Sequence, residues 1–273
     1  MRIRNAVLLA TLVVVGAANS VHAETKTKPQ VSISTKAVEV TLTVDPALRK
    51  FPRLFESSLA EGRRWAERNR AEAAKAMRDE PEFFRSGRRW TFERSYTLRS
   101  VVGRYVSVVR HDGTNTGGAH PNSYVDTILW DRNTRRRVSV RPFFRETADN
   151  GPTMTALAQL ARVAVAAEKL KRGAINVDVP KDKLTPESLA EQDRFIADGV
   201  PPSLGKIGPI TLAPSTEAGK SAGLTFHYSP YAVGPYAEGP YTVFVPWTAF
   251  QKYLSPRGLA IFGGQRPESD SVP

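Results

Sequence analysis

The spacing of apolar residues changes twice between Val38 and Leu98, and that change limits the folds open to this chain. Val38, Val40, Leu42 and Val44 alternate with Glu39, Thr41 and Thr43, the period-two pattern of a half-buried strand that ends at Pro46. From Ala47 to Met77 the apolar positions Phe51, Phe55, Leu59, Trp65, Ala66, Ala73 and Met77 recur at three- and four-residue steps with charges between them. This predicts an amphipathic helix, with Gly62 as the place where it could break, and its Trp and Phe stripe reads as core packing. Trp90–Leu98 and Val101–Arg110 return to β-rich composition, so a hairpin turning at Arg99-Ser100 is expected.

A second hairpin follows in Ser123–Asp131 and Arg137–Val140, around the turn signal Asp131-Arg132-Asn133-Thr134. An Ala-rich helix is expected from about Thr153 to Lys171, closed by Gly173. Another starts with Thr185 as cap and Pro186 at its first position, with Leu189, Gln192 and Ile196 on one face. Pro209–Leu212, Leu224–Tyr228 and Tyr241–Val245 read as extended chain, and Thr248–Leu254 as a short helix. Strands and helices mix without a regular βαβ repeat, which predicts an α+β fold. The expected organisation is two packed subdomains, 37–130 and 131–255, with mixed or antiparallel sheets and flanking helices. A flexible lead-in at 24–36 precedes them, and a C-terminal tail at 256–273 follows, loose from 264 onward.

Arg2 and Arg4 precede an apolar run from Ala6 to Ala18 that ends in Val21-His22-Ala23. The run is too short to span a bilayer as a helix, and small residues stand at the exit, so residues 1–23 read as a signal peptide cleaved after Ala23. The expectation is a periplasmic or secreted protein with no transmembrane anchor after cleavage. The chain has no Cys, which removes disulfide, thiolate-metal and Cys-nucleophile chemistry. Net charge is +12, and +10 without Arg2 and Arg4, since residues 1–23 hold no acid. Such a balance favours anionic surfaces such as lipid headgroups and acidic wall polymers. Arg63-Arg64, Arg88-Arg89 and Arg135-Arg136-Arg137 are short clusters without interleaved stacking aromatics, so they read as solvated basic surface and no nucleic-acid partner is expected.

No Gly-x-Ser-x-Gly elbow, His-Glu-x-x-His helix, phosphate loop or dinucleotide fingerprint occurs, so no catalytic residue is assigned and no cofactor is expected. His111 and His120, with Asp112, do not have a usual metal-ligand spacing, and no metal is expected. Two loops stand out instead. In Thr116-Gly117-Gly118-Ala119-His120-Pro121-Asn122, consecutive glycines permit backbone angles closed to other residues, and Pro121 pushes His120 toward extended geometry. Residues 226–241 place Tyr228, Tyr231, Tyr236 and Tyr241 along a path stiffened by Gly and Pro. Tyrosines offer large apolar faces with polar tips, which suits a recognition surface; equally, such loops can close strand connections with their hydroxyls satisfied internally. Gly117, Gly118, His120, Asn122, Tyr231, Tyr236 and Glu238 are the candidate ligand-binding residues.

Gly117-Gly118-Ala119-His120-Pro121-Asn122, followed by Val138-Ser139-Val140-Arg141-Pro142-Phe143-Phe144, resembles the paired domains in the extracellular part of the anti-sigma factor RsiV. The same pair stands N-terminal to the catalytic domain of PdaC-type polysaccharide deacetylases. Pro230-Tyr231-Ala232-Val233-Gly234-Pro235-Tyr236-Ala237-Glu238-Gly239-Pro240 is similar to the signature of the second domain of that pair. The likeness covers residues 37–255 and implies work outside the membrane. It implies neither anti-sigma signalling nor deacetylation, because the sigma-binding, membrane and deacetylase parts have no counterpart here. The expected function is a non-catalytic envelope module that binds peptidoglycan, another anionic envelope polymer or a lysozyme-like protein. The alternative is a wall-glycan hydrolase with a carboxylate pair brought together only in space.

Overall fold

The alternating segment forms β2 (Val38–Val44), with Val38, Val40, Leu42 and Val44 all buried. The computed structural model describes residues 28–270 except 176, 178 and 179, so the expected signal peptide lies outside the described residues. Within the expected flexible lead-in, β1 (Val31–Ser34) instead pairs antiparallel with β2, Val31 opposite Leu42. Its alternation of Val31 and Ile33 with serines is too short to register as a pattern, and β2 supplies the missing partner.

A 3-10 turn at Pro46–Lys50, capped by the Asp45 carboxylate, leads into α1 (Pro52–Asp79). The helix runs through Gly62 without a break. A Cβ at Gly62 would stand 2.6 Å from Leu42 Cδ1, so the glycine is a point of close approach between helix and strand. The short α2 (Pro81–Arg85) then returns the chain to β3 (Trp90–Val102), which lies parallel to β2. One crossover unit is therefore embedded in an otherwise antiparallel sheet.

β3 pairs with β4 (Tyr105–Asn115) through a turn at Gly103, which has φ +52, and Arg104. Arg99 and Ser100 belong to β3 at a register shift and do not form the turn. Their polarity is absorbed by distant partners: Arg99 pairs with Asp270 at 2.7 Å, and the Ser100 hydroxyl donates to the Leu212 carbonyl. β5 (Asn122–Asp131) and β6 (Arg136–Val138) complete a sheet ordered β1-β2-β3-β4-β5-β6, which continues past residue 130.

In the second half, α3 (Pro152–Arg172) ends at Gly173 in the left-handed conformation. A capping box between Thr185 and Ser188 starts α4 (Pro186–Gln192). The expected continuous helix then stops, because the Asp193 carboxylate accepts the N–H groups of Phe195 and Ile196 and begins α5 (Arg194–Gly199). Leu189 and Ile196 are buried, whereas Gln192 is exposed. The antiparallel strands β7 (Ile210–Leu212), β8 (Gly223–Tyr228) and β9 (Tyr241–Pro246) form a second sheet. It is followed by α6 (Trp247–Phe250), a 3-10 turn at Gln251–Tyr253 and α7 (Pro256–Ile261). The expected loose tail is anchored as far as Asp270, whose carboxylate lies 2.7 Å from Arg99 and 2.8 Å from Arg266.

The fold is α+β. α1 covers one face of the first sheet through Leu42, Val44, Leu54, Tyr96 and Val108. Val102, Tyr105 and Leu129, at the β6 end of the same sheet, join the larger core built by α3 and the second sheet. Hydrogen bonds tie the two sheets: Leu212 N–H donates to Ser107 Oγ at 3.1 Å, and Ile210 N–H to Thr127 Oγ1 at 3.2 Å. Among the described residues, no helix is long and apolar enough to cross a membrane.

Candidate functional site

β4 and β5 deliver the Gly117-Gly118 loop to one end of the first sheet, and β8 and β9 deliver the Tyr-rich loop to the same place. Ser229 Oγ accepts the Val125 N–H at 2.8 Å and fixes the approach. His120 then stacks on Tyr236, ring centroids 3.7 Å apart and planes 18° apart, while its Nε2 lies 3.0 Å from the Tyr231 hydroxyl. Tyr236 donates its hydroxyl proton to the Pro121 carbonyl at 2.7 Å, and the two tyrosine rings stand 5.5 Å apart. Two segments more than a hundred residues apart thus form one aromatic cluster. Gly117 has φ +88 and a Cβ there would lie 2.1 Å from the Phe83 ring, so it shapes the loop from behind, whereas Gly118 faces open space. Asn122 is exposed at the first position of β5, opposite Thr114.

Tyr236 is half-buried and its hydroxyl is used internally, but Tyr231 is 57% exposed with a backbone φ of +70. Its ring lines an open pocket of about 350 Å³ together with Phe195, itself 43% exposed, and the charged side chains of Arg194 and Asp198. Gly199 brings the two walls together, since a Cβ there would lie 1.9 Å from the Ala232 carbonyl oxygen. Phe195 and Arg194 had no distinguishing signal in the sequence. Asp193 caps α5, in whose first turn Phe195 lies, and Phe195 lines the same pocket as Tyr231.

Glu238, the remaining predicted residue, serves a different structure. The fully buried Lys169 ammonium sits 2.7 Å from Asp193 and 3.2 Å from Glu238, and Tyr241 donates to Glu238 at 2.6 Å. Burial first, and the hydrogen bond to Glu238 second, push the Tyr241 hydroxyl far above its ordinary pKa. This network anchors the end of the Tyr-rich loop to α3 and to the start of α5.

The carboxylates that gather between α1 and the first sheet are saturated by guanidinium groups. Arg94, stacked over Trp65, grips Asp112 with two bonds of 2.6 Å. Arg110 lies 2.9 Å from Glu61 and 3.0 Å from Asp126, and Arg137 also bonds Glu61. Burial works to raise the Glu61 pKa, but Arg137, Arg110 and Arg94 together hold it below the ordinary carboxylate range. The neighbouring Tyr96 hydroxyl, buried and close to Glu61, is pushed up to about 12. His111 bonds Ser123 at 2.7 Å, and among the described residues no group of three or more His, Asp or Glu could hold a metal ion.

No curated protein matches the chain. Over most of the chain, the fold is similar to crystal structures of a DUF3298-family member from Bacteroides fragilis and of a DUF3298-family protein from Pseudomonas aeruginosa PAO1. The first is 16% identical, covers 84% of this chain and 93% of its own, and superposes with a TM-score of 0.51. The second is 17% identical, covers 85% and 91%, and superposes with a TM-score of 0.50. At these identities the likeness is one of fold. Residues 151–248, which carry Phe195, Tyr231 and Glu238, match the family described as Protein of unknown function (DUF3298).

Proposed function

We propose that this chain is an exported, non-catalytic envelope module that binds a cell-wall glycan in the pocket between Tyr231 and Phe195. One observation carries the reading: two exposed aromatic residues line the same open pocket beside Arg194 and Asp198. Aromatic faces cover the apolar face of a sugar ring, while a neighbouring cation and carboxylate bond its hydroxyls. The left-handed backbone of Tyr231 costs about 1–3 kcal/mol for such a residue, and His120 holds the ring where that cost brings it to solvent. The leader-like segment at residues 1–23 and the resemblance to the RsiV and PdaC paired domains support a place outside the membrane. The net charge of +10 that remains without Arg2 and Arg4 suits acidic wall polymers.

A hydrolase is disfavoured at the most obvious carboxylate cluster. A general acid needs a raised pKa, and Glu61 is held low by three guanidinium groups.

Co-sedimentation of the purified protein with peptidoglycan sacculi tests the reading. Tyr231→Ala should lower the affinity about tenfold, the effect of truncating a central aromatic anchor, without changing the melting temperature by more than about 2 °C. Binding equal to that of the parent protein would contradict it. Retention by a lysozyme-like protein but not by sacculi would assign the same surface to a protein partner instead.

A further inference from the structure

At the opposite end of β5, a second cavity of about 410 Å³ opens between the start of α1 and the β5–β6 turn. Lys50 and Arg53 line it from the helix side, Arg132 and Arg135 from the turn, and Phe51 and Trp130 supply its apolar surface. We propose that this cavity is an anion site that takes the phosphate group of a phosphoester ligand.

Four cations converge here and no carboxylate lines the space. Four other guanidinium groups of the first sheet, those of Arg94, Arg99, Arg110 and Arg137, each have a carboxylate partner. Among the described residues, Lys50, Arg132 and Arg135 form no ion pair, and Arg53 has only the exposed Glu56 at 3.4 Å. Like charges gathered without counter-charges repel one another, and a bound anion relieves that repulsion. Guanidinium forks match the oxygens of a phosphate with paired hydrogen bonds.

The turn that carries two of the cations is itself fixed. Asp131 accepts the N–H groups of Asn133 at 2.9 Å and Thr134 at 3.4 Å, which fixes the turn, and Arg135 sits within it at φ +52. The Arg132 guanidinium lies over the Phe51 ring at 5.6 Å. No side chain caps the N-terminus of α1, so its first-turn N–H groups add positive potential to the same space. β5, ten residues and roughly 30 Å long, runs between this end of the sheet and the end that carries the Gly117-Gly118 loop, so the cavity lies away from the aromatic cluster.

Titration calorimetry with tripolyphosphate, alongside sedimentation with phosphatidylglycerol vesicles and phosphatidylcholine controls, provides the test. The parent protein should bind tripolyphosphate. Arg132→Gln with Arg135→Gln should weaken that binding about tenfold or more, while Arg63→Gln with Arg64→Gln, which removes the same charge from exposed α1 positions, should change it less than about twofold. Parallel loss of phosphatidylglycerol binding would identify a lipid headgroup as the source of the phosphate. Tripolyphosphate binding without vesicle binding would identify a soluble phosphoester. No binding of tripolyphosphate by the parent protein, or an equal loss in both double variants at unchanged melting temperature, would overturn the proposal.

Discussion

Tyr231 and His227 sit four residues apart, one in the loop after β8 and one within the strand, and meet opposite surroundings. Tyr231 is turned outward at the expense of its backbone, while His227 is buried and its Nε2 lies 2.9 Å from Thr211 Oγ1 between β7 and β8. Burial first, and the nearby Arg99 charge second, lower the His227 pKa from its ordinary 6.5 to about 4. The folded protein therefore keeps this imidazole neutral at pH values where the unfolded chain protonates it. A depressed pKa contributes stability that is complete above 6.5 and is lost as the pH falls toward 4. His227→Gln should thus lose less melting temperature than the parent protein across that interval, as read by thermal unfolding at a series of pH values. An identical acid profile would contradict this. Glu238 illustrates the limit of sequence at this scale: it stands among the loop tyrosines, yet it faces Lys169, whose burial follows from α3 packing and leaves no trace in local composition.

At the scale of elements, the aromatic pocket depends on how closely α5 approaches the loop after β8. Gly199 supplies that approach, and Gly199→Ala must displace the Ala232 backbone, since no flexible side chain is available to yield. The variant should bind sacculi about tenfold less well although neither Tyr231 nor Phe195 is altered, and should unfold at lower temperature, as checked by sedimentation and calorimetry. Strands and long helices were legible wherever periodicity alone decides them, as in β2, α1, α3 and β9. Most of the misread positions depend on a partner distant in sequence, whereas the helix break at Asp193 is a local cap. Gly62 continues α1 because Leu42 lies against it, Arg99 and Ser100 stay in β3 because Asp270 and Leu212 receive them, and β1 exists because β2 is there to pair. The two loop motifs were visible as unusual sequences, and their meeting through His120 was not, because stacking between segments so far apart has no local signature.

Across the whole molecule, the first sheet acts as a spacer with a different surface at each end of β5. One end presents the exposed aromatic residues and the other presents the four cations of the second cavity, while Ser107, Thr127 and the Arg99–Asp270 pair lock the two halves into a single frame. A polymer that offers sugar rings and negative charge along its length is complementary to both ends. The central claim is that the aromatic pocket receives the sugar, and nuclear magnetic resonance titration of ring-labelled protein with a disaccharide-peptide fragment of peptidoglycan tests it most directly. The Tyr231 and Phe195 ring signals should shift together and saturate, with the buried rings of Trp65 and Phe226 unmoved. Saturating shifts confined to other rings, or no shifts at all, would contradict the account.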